Sequence, residues 1–161
     1  MTSKDLTLAF EKITSETDIP ELTAVMTRAF DDDVCKHQGQ ERGGPDGYDN
    51  GDFFRKWLFG YDESVGYKIM AEGQIIGAFI VWPMPDRNNY LGTIFVDPAH
   101  QDCGVGVRAW QFIEAAYPDT LSWMLETPAF AKKNHYFYEK KCGFTKVEER
   151  DDSFIYRKVM G

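Results

Sequence analysis

Phe95-Val-Asp-Pro-Ala-His-Gln-Asp-Cys-Gly-Val-Gly-Val-Arg108 is the stretch on which the fold turns. A short apolar strand ending at Val96 runs into a loop, and the loop runs into a helix that begins at Gly104 and Gly106. Glycines at that place let an anion come close to the backbone. The first-turn N–H groups have no partner inside the helix, and the helix dipole adds positive potential there. A phosphate or pyrophosphate site follows from that physics. The plainer alternative is a glycine-rich strand–helix turn that binds nothing.

Two ligand classes fit this loop poorly. A Walker A loop needs Gly-Lys-Ser/Thr, where this chain has Val107-Arg108. Gly104-Val-Gly-Val-Arg-Ala109 satisfies the letter of the Rossmann fingerprint, and Glu126 follows at a suitable distance. A Rossmann turn, however, follows its strand at once, and here Asp97 to Cys103 intervene. The repeated βαβ units of a doubly wound sheet are also missing.

Outward from the loop, hydrophobic periodicity marks the other elements. Leu6–Ile13 alternates and predicts an edge strand. Asp18-Ile-Pro-Glu21 predicts a helix start, with Asp18 as N-cap and Glu21 at the capping-box position. That helix carries Asp31-Asp32-Asp33 at its predicted end. His37–Gly51 reads as a long loop, and Phe53–Tyr61 as a short amphipathic helix. Gly66–Ala71 and Gln74–Trp82 flank Glu72-Gly73 as a tight hairpin. Tyr90–Val96, Leu121–Leu125, Phe144–Val147 and Phe154–Val159 are further strands, and Gly104–Tyr117 and Phe130–Cys142 further helices. The order β-α-α-β-β-β-α-β-α-β-β is an α/β mixture with an antiparallel meander and one or two parallel crossovers.

Val96-x-Pro98 and Gln101-x-x-Gly104-x-Gly106 resemble the acyl-CoA-binding motif of the GCN5-related N-acetyltransferase (GNAT) superfamily. Phe137-Tyr-Glu-Lys-Lys-Cys-Gly-Phe144 resembles that family's second signature, and the order of elements matches over nearly the whole chain. The resemblance implies one domain over residues 1–161, with a mixed, largely antiparallel sheet of about seven strands and about four helices. It implies acetyl-CoA as co-substrate and direct acetyl transfer to an amine. Ile94, Phe95 and Val96 would bond the pantetheine arm on a strand that splays from its parallel neighbour. Gln101 and the loop Asp102, Cys103, Gly104, Val105, Gly106 and Val107 would hold the pyrophosphate. Tyr138 falls where the family has a tyrosine that protonates the departing thiolate. Two positions depart from the pattern: Cys103 stands where Arg or Lys is frequent, and Ala131 where an asparagine often bonds the cofactor. Asn134, one turn later, either compensates or sits on a solvated face.

The base that accepts the amine's proton is not fixed by sequence; Glu126 and Tyr90 are the two candidates, either acting through water. The resemblance places the acceptor site between the two N-terminal helices and the cofactor strand, near Phe30, Asp31, Asp32 and Asp33. Residues 1–65 carry 14 acids and 7 bases, a net of −7 out of −8. A cationic small amine is the acceptor that this asymmetry favours; the alternative is an acidic surface that serves solubility. Acylation of a protein N-terminus or lysine, and a non-catalytic acyl-CoA-binding or regulatory module, are the other functions open to this fold.

Composition narrows the field. Of the 161 residues 43% are hydrophobic and 15% aromatic, enough for a packed core and against disorder. The negative charge argues against nucleic acid as a partner. No apolar run reaches the roughly 20 residues of a membrane span, and Met1–Thr14 lacks a signal-peptide pattern, so a cytoplasmic protein is expected. Cys35, Cys103 and Cys142 form no C-x-x-C pair, so neither a disulfide framework nor a metal site is expected. Proteins of this resemblance are often homodimers.

Overall fold

The computed structural model describes residues 6–101 and 103–160, and of His37 the backbone alone. The elements run β1 (Leu8–Lys12), α1 (Ile19–Gln38), α2 (Asp52–Trp57), β2 (Val65–Ala71), β3 (Gln74–Trp82), β4 (Asn88–Val96), α3 (Val105–Ala116), β5 (Ser122–Pro128), α4 (Lys132–Tyr136), β6 (Thr145–Arg150) and β7 (Ser153–Val159). Among the described residues the strands form one sheet in the order β1-β2-β3-β4-β5-β7-β6. Every neighbouring pair is antiparallel except β4 with β5. The α/β architecture and the order of elements are those expected. No helix among the described residues is long and apolar enough to cross a membrane.

The β2–β3 turn has positive φ at both Glu72 and Gly73, the backbone a two-residue hairpin needs to match strand twist. β3 is buried on both faces between two cores, consistent with its nearly unbroken apolar run. One core packs α3 through Val105, Trp110 and Ile113 against Phe79, Trp123 and Tyr156. The other packs α1 and α2 through Leu22, Met26 and Phe54 against Ile80 and Phe95.

Three local expectations are corrected. Asp18 stands at the N-cap position of α1, as expected, but its side chain makes no capping bond: its carboxylate accepts from Lys68 Nζ on β2 at 3.1 Å. Ser15 instead caps a preceding 3-10 turn over Glu16–Asp18. Secondly, α1 runs on to Gln38 and ends on left-handed Gly39, so Asp31-Asp32-Asp33 lies more than a turn inside the helix. Thirdly, the helix expected over Phe130–Cys142 is an α-helical turn followed by a π-helical one over Phe137–Lys141. The Cys142 N–H reaches the Phe137 carbonyl at 3.1 Å, which closes the wider turn. Such insertions often sit at functional sites.

The junction of β4 and β5 shapes the site. Their parallel ladder pairs Asn88–Tyr90 with Ser122–Met124 and extends no further. Between Tyr90 and Ile94 the β3–β4 register shifts: Val81 faces Leu91, but Ile80 faces Thr93, so Gly92 is the extra residue of a bulge. A Cβ at Gly92 would stand 2.9 Å from the Trp82 ring, so a side chain there would collide with it. Beyond the bulge β4 and β5 part, and the gap opens toward the start of α3.

Candidate active site

In an antiparallel pair, alternate residues point their backbone groups at the partner strand. The Asp97 N–H bonds the Ile76 carbonyl at 2.7 Å. The register therefore turns the backbone groups of Ile94 and Val96 away from β3, into the gap. Gln101 Nε2 donates to the Val96 carbonyl at 3.1 Å, and Lys133 Nζ on α4 donates to Gln101 Oε1 at 3.0 Å. These two bonds bring the β4–α3 turn and α4 together across the gap.

The turn itself is tightly held. Asp97 accepts from the Ala99 N–H at 3.1 Å and from Arg28 Nη2 on α1 at 2.6 Å. Burial alone would raise the Asp97 carboxyl, but the bonds from Arg28 and Ala99 outweigh it and hold the group below its ordinary value. α3 starts on Gly104 at φ 75°, a left-handed conformation that suits glycine. The first bond of the helix is Arg108 N–H to Gly104 O, which leaves the amides of Val105, Gly106 and Val107 without helical partners. Arg108 is turned away: its guanidinium bonds the Leu6 carbonyl at 2.7 Å. At Gly106 a Cβ would stand 2.9 Å from the Phe137 ring, so this glycine lets α3 and α4 approach each other.

A groove of about 490 Å³ lies here, between α1, the end of β4, the start of α3, and α4. Of the residues expected to bind a cofactor, Ile94, Phe95, Val96, Gln101, Gly104, Val105, Gly106, Val107 and Asn134 line it. Cys103 is half-buried beside it and packs on the α3 core. Asp102 lies outside the described residues. Asn134 is half-buried, and its amide donates to Thr127 Oγ1 at 3.3 Å, so it is not on a solvated face. Ala131 is fully buried.

Tyr138 also lines the groove, at 7% exposure, on the π-helical turn. Burial pushes its phenol well above the ordinary range, and the nearby Cys142 thiol and Asp33 carboxylate add to the rise. Burial likewise pushes the Cys142 thiol up to about 12, so it remains a neutral packing group. The three aspartates of α1 separate. Asp33 and Phe30 line the groove. Asp31 holds the loop after α1, accepting from Tyr48 Oη at 2.6 Å, the Gly43 N–H at 3.0 Å and Arg42 Nε at 3.3 Å. Asp32 pairs with Lys36 one turn on, at 2.9 Å.

Glu126 and Tyr90 are absent from the groove's described lining. Tyr90 is 40% exposed, above a separate depression with Met124 and Arg157. Glu126 is exposed on β5, within electrostatic reach of Arg150. Sequence reasoning missed His100, Lys133, Tyr136 and Lys141 as groove residues. His100 Nδ1 is buried with no hydrogen-bond partner among the described residues. The two lysines belong to the basic pairs Lys132-Lys133 and Lys140-Lys141 at the ends of the α4 segment, which was the available signal.

Residues 27–144 match the acetyltransferase (GNAT) family. The uncharacterized protein YrkN of Bacillus subtilis (strain 168) is 36% identical over 138 residues, covering 85% of this chain and 73% of YrkN. An acetyltransferase from Thermus thermophilus has the same fold at a TM-score of 0.79 and 16% identity, over 96% of this chain and 98% of that one. The PaiA N-acetyltransferase from Thermoplasma acidophilum, solved in complex with coenzyme A, gives 0.77 at 14% identity over 96% and 99%. The chain belongs to the GNAT acetyltransferase family and is an acyltransferase.

Proposed function

We propose that the protein transfers the acetyl group of acetyl-CoA directly to a primary amine of a small acceptor. The observation that carries this is the convergence of three features in one groove: the backbone of Ile94 and Val96 turned into the β4–β5 gap, the amides without helical partners at the start of α3, and the Tyr138 phenol. The residues present suit an acyl-CoA. The N–H groups of Val105, Gly106 and Val107, which have no partner inside the helix, suit a pyrophosphate. His100 Nδ1, buried without a partner among the described residues, and the side chains of Lys133 and Lys141 give further polar contacts, and offset the missing basic side chain at Cys103.

When bound, the thioester supplies the activated acetyl group. The chain's own residues then have separate tasks. The N–H of Val96 points into the gap, where it stabilises negative charge on the reacting carbonyl oxygen. Gln101 fixes that backbone by holding the Val96 carbonyl. Tyr138, kept neutral by its surroundings, donates its phenolic proton to the leaving sulfur. Phe30 and Asp33 form the α1 wall against which the acceptor lies.

A screen of amine acceptors, with mass spectrometry of the product, tests the reading. An increase of one acetyl group on an amine, with free CoA released, supports it. Binding of acetyl-CoA with no product from any amine favours the non-catalytic module, and acetyl found only on a protein chain favours a macromolecular acceptor.

A further inference from the structure

Among the described residues that line the groove, Asp33 is the sole carboxylate. It lies three residues beyond Phe30 on α1, on the same helical face. The Phe30 ring stands 6.5 Å from that of Phe95 on β4, which fixes this face of α1 against the gap. Tyr138 stands on another wall, and the charge of Asp33 reaches its phenol. Groove, helix face and electrostatic contact therefore place a carboxylate and a neutral phenol about the same space.

We propose that Asp33 is the general base of the transfer: its carboxylate receives the ammonium form of the acceptor and takes the proton that blocks attack. This rests on the amine-acceptor reading above. The need is quantitative. An alkylamine with a pKa near 10 is unprotonated in only about one part in 10³ at pH 7. The step balances as follows. An N–H bond of the ammonium breaks and its proton passes to an Asp33 oxygen. The freed lone pair forms the N–C bond at the thioester carbonyl, whose π electrons move onto oxygen. Their return breaks the C–S bond, and the sulfur takes the phenolic proton of Tyr138. The second proton of the new amide nitrogen restores the phenol, and Asp33 releases its own to solvent. The products are one amide, one thiol and one proton.

Other titratable groups border the same space. His100 comes from the β4–α3 turn, Lys133 and Tyr136 come from α4, and Tyr138 and Lys141 from the π-helical turn after it. Lys133 is bonded to Gln101, and behind the turn Arg28 is bonded to Asp97. On α1 itself Asp32 and Lys36 form their own pair.

The test compares wild type, Asp33→Asn and Asp33→Glu with spermidine, glucosamine and an alanine-headed peptide as probes, from pH 6 to 10, beside calorimetry of acetyl-CoA. Asp33→Asn is expected to lower kcat at pH 7 by about 10²-fold or more, with acetyl-CoA affinity kept. Its deficit should close as pH approaches the amine's own pKa, because the amine then deprotonates unaided. Asp33→Glu should recover part of the neutral-pH rate. A variant whose pH profile runs parallel to wild type, or whose only change is a higher KM for the amine, overturns the role. If Asp33→Asn also loses acetyl-CoA, Asp33→Glu decides: recovery supports the base, and equal impairment overturns it. A wild type that acetylates none of the probes overturns the amine reading itself and this role with it.

Discussion

The side chain of Gln101 donates to the backbone carbonyl of Val96 at 3.1 Å, and Lys133 donates to the same side chain at 3.0 Å. One glutamine thus ties the strand, the turn and α4 at the mouth of the groove. Gln101→Ala removes both bonds. At about 0.5–1.5 kcal/mol for a net hydrogen bond, acetyl-CoA affinity should fall by roughly two- to tenfold in calorimetry, with the thermal midpoint little changed. An unaltered affinity would show that the turn holds its shape without this side chain.

Gly104 and Gly106 should respond differently to substitution. A Cβ at Gly104 meets nothing within 4 Å among the described residues, but the residue has φ 75°, so Gly104→Ala costs roughly 1–2 kcal/mol through backbone strain. At Gly106 the obstacle is the Phe137 ring, so Gly106→Val overpacks the α3–α4 contact by about 1–3 kcal/mol. Pairing Gly106→Val with Phe137→Leu should return part of that loss in urea titrations. No such rescue is expected for Gly104→Ala.

Tyr138→Phe should lower kcat by about 10²–10⁴-fold and leave acetyl-CoA binding nearly unchanged. Burial holds the proton on the phenol above the ordinary value of 10.0, so any alkaline fall in wild-type kcat caused by its loss lies above pH 10. Steady-state rates across pH, beside the Phe variant, separate this acid from a tyrosine that only packs against Phe144 and Tyr156.

Asp31→Asn should destabilise the protein, since it weakens the bonds that hold the loop after α1, at a cost of about 1–2 kcal/mol. Burial raises the Asp31 carboxyl, but Tyr48, Gly43 and Arg42 together bring it below 3.8. A lowered carboxyl stabilises the fold fully above its unfolded value, and that stability fades as pH falls through the lower folded value. Unfolding free energies of wild type and Asp31→Asn should therefore converge below about pH 3.8. For Asp32→Asn, whose partner Lys36 is solvent-exposed, the stability change should stay within about 0.5 kcal/mol.

The aspartate triplet shows where local reading stops. Three adjacent carboxylates are identical in sequence, yet one holds a loop, one pairs along the helix and one lines the groove. Helical residues project at about 100° intervals, so neighbours face different surroundings. Which surroundings those are depends on Tyr48, Arg42 and the α4 segment, all distant in the chain. The end of α1 was misplaced for a related reason: the glycine-rich loop reads as starting at His37, whereas Gly39 supplies the left-handed stop.

The sequence by itself determined the order of elements, the Glu72-Gly73 hairpin and the glycine turn into α3. Each depends on periodicity or backbone freedom within a few residues, and these are local properties. Only the tertiary structure decided that the β4–β5 ladder ends at Tyr90, that Gly106 receives Phe137, that Asn134 faces the groove, and that Asp33, and neither Glu126 nor Tyr90, is in its described lining. Those outcomes follow from the bulge at Gly92 and from the packing of α1 and α4 about the gap. Such contacts join residues far apart in the chain, and no local pattern encodes them.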